Sequence, residues 1–280
     1  MTYGNMPLEG GFLRFKKEEK QKLKKFDGIN KFIKKVIGGE EFLKGIDRYC
    51  FWIEDEDLEE ALKYDVIKDR IEQVKEFRIN GGDVARTLAD RSHQFRYRHT
   101  SKNESIVVPC TSSENRNYLP CGIFDSSYIS LNSVQTVHDA EPYIFGIITS
   151  RMHIVWVRAV GGKLKTDYRY SAKLCYNTFP FPEISTKQKE NLNLYVFTIL
   201  DERAKHPSKT MAQLYNPDTM PKGLLKAHQE LDEAIERCYR LQPFKNDTER
   251  LEYLFKLYEE MIKKDTLFAK QKKTRKKKEK

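Results

Sequence analysis

The chain has 280 residues, 39% of them hydrophobic and 12% aromatic, which is enough apolar side chain for a folded core and excludes a disordered protein. Its longest apolar runs, 143–148 and 154–157, are far too short to cross a bilayer. The first residues also lack the order of a secretory leader, so a cytosolic protein is expected. The net charge of +10 sits in two blocks: residues 14–35 carry ten positive and three negative charges, and residues 270–280 carry eight and one, leaving the remainder net negative.

The opening MTYGNMPLEGGF is punctuated by Gly and Pro and reads as an irregular connector. Residues 16–26 and 29–37 follow as two short helices, separated by Asp27-Gly28 and closed by Gly38-Gly39. The aromatic run 47–53 is a buried strand. Helical spacing of Leu58, Leu62, Val66, Ile67, Ile71 and Val74 gives a helix over 57–77, resumed over 83–89. From Ser105 the texture changes to short strand-like runs (SIVVPC, CGIF, YISLNSVQTV) split by turn residues. A buried helix over 141–160 tolerates Pro142 in its first turn, and residues 167–181 return to strand. Beyond Ile184 the pattern is helical: 185–205, 222–239 and 248–264 each carry an apolar stripe. The predicted class is an α/β (α+β) region of short strands and helices, followed by an all-α C-terminal extension. The divisions are a connector and helical lead-in (1–77), an α/β domain (78–183), a helical domain (184–265) and a disordered basic tail (266–280).

Catalytic signatures are missing. The five cysteines are scattered without CxxC spacing, which fits reduced buried thiols and not structural zinc. His153, inside an apolar run, reads as a core residue. No Gly-rich cofactor loop, aromatic Pro-Pro loop, phosphate loop or acid-x-Lys metal pair appears. No catalytic, cofactor-binding or metal-ligating residue is therefore assigned, and no enzymatic activity is expected of the chain in isolation.

The type of base is more informative than the amount. Between Arg78 and Lys173 there are nine arginines and four lysines, whereas the rest of the chain has eight and thirty. A planar guanidinium donates two parallel hydrogen bonds to phosphate or guanine, which points to nucleic acid; the competing explanation is ion pairs at the edge of the core.

Three stretches, TYGNMPLEGG, VVPCTSSENRNYLPCGIF and above all GGKLKTDYRYSAKLCYNTFPFP, resemble the target-recognition and C-terminal regions of MmeI-like (type IIL, a branch of IIG) restriction–modification enzymes. The resemblance covers nearly the whole chain. It implies a module that reads a sequence in double-stranded DNA for a site-specific N6-adenine methyltransferase or restriction enzyme. S-adenosylmethionine and Mg²⁺ would belong to catalytic domains or a subunit upstream, with no membrane partner and a place at the prokaryotic nucleoid.

The family's specificity positions fall on Lys165, Asp167 and Arg169, and on Asn132 and Ser133 of a strand about thirty residues earlier. In a strand, Lys165, Asp167 and Arg169 share one face, where a lysine donor and an aspartate acceptor can read a G·C pair. Arg96, Arg98, Lys102 and Arg116 are assigned to phosphate contacts, with Tyr97 and Tyr118 either under the guanidinium groups or in the core. Two other classes compete: an RNA-binding or ribosome-associated basic protein, and an enzyme assembled around Asp125, His138 and Glu141.

Overall fold

Strand Ser105–Pro109 is central to the first of two units, because all four of its apolar residues are buried and both its edges are paired. Val134–His138 and Gly122–Phe124 flank it antiparallel, and Thr2–Tyr3 adds an edge beyond Val134–His138. A second four-stranded sheet runs in the order Arg14–Lys16, Arg48–Phe51, Ile33–Ile37, Tyr128–Ser130, the last pair parallel. Its core joins Leu13, Phe15, Phe32, Val36 and Phe51 to Ile67 and Val74 of helix Asp65–Ile79. This unit comprises Met1–Thr111, Pro120–Ala140 and Lys209–Gln213; the second comprises Ser112–Leu119, Glu141–Ser208 and Leu214–Lys280. The computed structural model describes the backbone of residues 1–278 and the side chains of residues 1–264; the expected basic tail, 266–280, lies outside the described side chains.

The first unit departs from the expected elements at several points. The expected helix 57–77 is broken: a short helix Leu58–Ala61 ends before Tyr64, which is extended, and helix Asp65–Ile79 follows. Residues 29–37 are not a helix: after Gly28, at φ 78°, a 3₁₀ turn Ile29–Phe32 leads straight into strand Ile33–Ile37. Ile29, Ile33, Val36 and Ile37 fit a helical stripe, but β-branched residues also suit a central strand, and pairing on both edges decides the outcome. The first residues are not a loose connector either. Asn5, fully buried, donates to the His99 carbonyl at 2.9 Å and accepts the His99 N–H at 2.5 Å.

In the second unit the predicted helix 141–160 is two helices, Pro142–Thr149 and Arg151–Val160, because Ser150 is extended and its hydroxyl caps the His153 N–H. Helices Thr186–Ala204 and Lys222–Tyr239 pack on them, with Gly146 so close to Val196 and Leu231 that an added Cβ would lie 3.1 Å and 3.3 Å away. A capping box between Ser185 and Gln188 starts the first of these, and a last helix spans Asp247–Lys278. The predicted strand 167–181 stops at Arg169, and a π-helical turn, Ala172–Tyr176, follows.

Candidate nucleic-acid interface

In the second unit, Gly162–Leu164 and Asp167–Arg169 form an antiparallel hairpin in which Leu164 faces Asp167, Lys163 faces Tyr168 and Gly162 faces Arg169. The first strand is exposed along its whole length. Its partner alternates: Tyr168 and Tyr170 are buried, while Asp167 is half-buried and Arg169 exposed on the opposite face. The Tyr170 hydroxyl meets His153 Nε2 at 2.9 Å, and the Ser171 N–H donates to Cys175 Sγ at 3.5 Å. Burial pushes the His153 imidazole down to about 3, so it is neutral in its apolar surroundings. The Tyr-Arg-Tyr-Ser run is therefore an anchor, with the tyrosines inward and the polar residues outward.

Lys165 departs from the expected strand face. It lies at the hairpin tip with φ 58°, in the left-handed region, so Asp167 and Arg169 share a face but Lys165 projects from the turn. A two-residue connection between paired strands requires such a backbone, which the alternation of charges could not reveal. Leu164, opposite Asp167 and 52% exposed, is an apolar residue on the same face that the sequence reading passed over.

Arg116 lies in segment Ser112–Leu119 of the same unit and is half-buried, with Nη1 donating to Ser112 Oγ at 3.2 Å. Burial lowers its pKa and the Asp167 carboxylate opposes that shift, so the two predicted positions, one for phosphate and one for bases, attract each other. Tyr118 is buried, which settles its packing in favour of the core.

The remaining positions belong to the first unit. Asn132 and Ser133 are exposed in the turn between strands Tyr128–Ser130 and Val134–His138, not on a strand as expected. The Ser133 hydroxyl accepts the Gly39 N–H at 2.9 Å, which commits it to bracing that turn, whereas the Asn132 side chain faces solvent. The Arg96 guanidinium sits 4.9 Å from the Tyr97 ring, with Tyr97 itself exposed, and Lys102 is exposed nearby in the chain. Arg98 stacks on Trp52 at 4.8 Å and donates to Glu54 at 2.6 Å, so its charge is largely spent inside the protein.

The arginine-rich character of this stretch has mostly a structural cause. Arg78, fully buried, donates to the carbonyls of Leu8, Leu88, Arg91 and Gln94, and burial lowers its pKa to about 10. Arg86 pairs with Asp83, Arg91 donates to the Arg96 carbonyl, and Arg151 forms a two-pronged pair with Asp247 at 2.9 Å and 2.5 Å. Arg96, Arg116 and Arg169 remain the arginines of that set best placed to meet a ligand.

Asp125 and His138 line one small pocket of the first unit, but both are engaged within the protein: Asp125 accepts the Ser127 N–H of its own turn, and His138 bonds Ser101 and Thr2. Glu141 does not line that pocket and pairs with Lys189.

Residues 1–183 match the family model "MmeI, target recognition domain", and residues 184–266 match "MmeI, C-terminal domain". The chain belongs to the MmeI target-recognition family. The boundary between the two models falls just before the Ser185 cap. The chain is 45% identical over 263 residues to DNA methyltransferase A of Bacillus subtilis (strain 168), covering 93% of this chain and 30% of that protein. It is similar to the type IIL restriction–modification enzyme MmeI, solved in complex with DNA, with a TM-score of 0.88 and 37% identity over 94% of this chain and 35% of that one. The chain thus spans about a third of the length of these relatives.

Proposed function

We propose that the chain is the DNA-sequence-reading module of a site-specific adenine methyltransferase, and that its hairpin Gly162–Arg169 enters the major groove. The observation that carries this reading is the hairpin itself. A major groove admits a two-stranded β element, and this hairpin, the outer two strands of a three-stranded sheet, is exposed along its edge strand, anchored from below by Tyr168 and Tyr170, and tipped by Lys165. The similarity to MmeI, solved with DNA, supports a DNA-recognition module.

Within the groove, Lys165 at the tip would donate to O6 and N7 of guanine, Asp167 would accept from the N4 amino group of cytosine, and Arg169 would reach a neighbouring base. Leu164 offers the apolar contact that suits a thymine methyl group. Asn132, with its side chain in solvent, is the stronger base reader of its pair, and Ser133 holds the turn. Arg96, Lys102 and Arg116 would take phosphates; Arg98, already paired with Glu54, contributes little. Methyl transfer with S-adenosylmethionine, and any Mg²⁺-dependent cleavage, would reside in the two thirds of the relatives' length that this chain does not span. Such a module works where bacterial DNA lies, at the nucleoid.

The test is binding of the purified chain to short duplexes across a salt series. Binding with a steep negative dependence of affinity on salt is expected, because phosphate contacts release counterions. An affinity that is absent at low salt, or indifferent to salt, refutes the reading.

A further inference from the structure

Segment Ser112–Leu119, which carries Arg116, is fastened to the helices of its own unit at several points. Arg158 Nη2 donates to the Arg116 carbonyl at 3.1 Å, and the Thr149 hydroxyl donates to the Leu119 carbonyl at 2.9 Å. Between them the Tyr118 ring stacks on His228, with centroids 4.3 Å apart and an interplanar angle of 22°. The Tyr118 hydroxyl donates to Asp232 Oδ2 at 2.7 Å, and the other Asp232 oxygen accepts the Arg151 N–H at 2.6 Å. Both His228 and Asp232 lie on helix Lys222–Tyr239, within residues 184–266 that match the C-terminal domain model.

A phenylalanine at 118 would fill the same stack without placing a hydroxyl and a carboxylate in a poorly solvated place. Burial pushes the Asp232 carboxyl up to about 7, a sign that the position is unfavourable for a charge. A buried polar pair adds little net stability but fixes geometry, since only one arrangement satisfies both partners. What it fixes is the backbone two residues from Arg116, whose guanidinium also feels Asp167 of the hairpin.

The geometry points to Asp232 as a positioning residue of the DNA-reading surface: through Tyr118 it sets where Arg116 presents its guanidinium to the phosphate backbone. The helical C-terminal region would then share in recognition and not merely extend the fold. The inference rests on the proposed phosphate role of Arg116, and its test separates the two.

The experiment measures affinity of the full chain for a short mixed-sequence duplex across a salt series, at a temperature well below the melting transition of each variant. Arg116→Gln is expected to weaken binding about tenfold, the size of one charge-assisted hydrogen bond, and to lower the slope against log salt by about one. Tyr118→Phe keeps the stack on His228 and is expected to weaken binding several-fold with the same fall in slope. It should add nothing on the Arg116→Gln background. Asp232→Asn is expected to keep wild-type affinity, because its amide oxygen can accept from Arg151 while its nitrogen donates to the Tyr118 oxygen; Asp232→Ala is expected to behave like Tyr118→Phe. If Tyr118→Phe retains the wild-type affinity and slope, or its loss adds in full to that of Arg116→Gln, the positioning role is overturned. If Arg116→Gln itself binds normally, the phosphate role fails and the positioning role falls with it. If the wild-type chain does not bind DNA, the proposed function fails as a whole.

Discussion

The Tyr170 hydroxyl and His153 Nε2 meet at 2.9 Å, both side chains buried, so the strand that turns Arg169 outward is held from its inner face to helix Arg151–Val160. The readout surface thus depends on a contact that no ligand touches. Tyr170→Phe leaves a buried ring nitrogen without its partner. A loss of about 1–3 kcal/mol is expected in urea unfolding, with the recognised DNA motif unchanged. A motif that shifts in a variant with wild-type stability would place Tyr170 among the base readers instead.

Acid should destabilise the fold in a window set by the buried histidines. An unfolded histidine titrates near its ordinary 6.5, whereas His153 is held down to about 3 and His228 well below its ordinary value, both by burial. Between those limits the unfolded chain binds protons that the folded chain does not, so stability falls as pH falls. Asp232 acts in the opposite sense. Raised from 3.8 to about 7, it holds an extra proton in the folded state over that range, and its contribution is lost as pH rises through about 7. Thermal midpoints of the wild type should drop from pH 7 to pH 5. Those of Asp232→Asn should drop more steeply, since the opposing group is gone. An equal or shallower drop in the variant contradicts the assignment.

Lys165 allows structure and recognition to be separated. With φ at 58°, a side chain there costs about 1 kcal/mol that glycine does not. Lys165→Gly should therefore raise the melting temperature while relaxing base preference at one position. Exchanging the charges, with an acid at 165 and Asp167→Arg, should move preference toward the inverted base pair by about 1–3 kcal/mol. The readout is the methylation motif of the enzyme rebuilt with its catalytic portion. An unchanged motif in an active double variant would reduce both residues to surface charges.

Arg78 should behave as a folding residue. Arg78→Met leaves four carbonyls without the donor that gathers them, and a loss of about 3–5 kcal/mol is expected from chemical denaturation. Selective loss of DNA binding in a variant of normal stability would contradict the structural role.

Arg96 and Arg98 are two residues apart and should differ. Arg96→Gln is expected to weaken binding to all duplexes about equally and to lower the salt slope by about one. Arg98→Gln removes the ion pair with Glu54 and the stack on Trp52, so it should cost stability and leave the slope unchanged. Equal slopes for the two variants would remove the distinction.

Periodicity and punctuation determined a good deal on their own. Helix 222–239 was legible to the residue, because an apolar stripe at helical spacing has only one stable presentation in water. Strand Arg48–Phe51 was legible from aromatic density, and the Tyr-Arg-Tyr-Ser run from its resemblance to a family. Long-range pairing decided the rest. Residues 33–37 are a strand because partners far away in sequence bond both edges, and Lys165 is a turn residue because Asp167 pairs back onto Leu164. The arginines show the same limit. The sequence displays their number, but a guanidinium has the same donors whether it faces a phosphate or four main-chain carbonyls. Only the tertiary structure decides that Arg78 is surrounded by carbonyls while Arg169 remains exposed to solvent, because burial and partner geometry are properties of the packed chain.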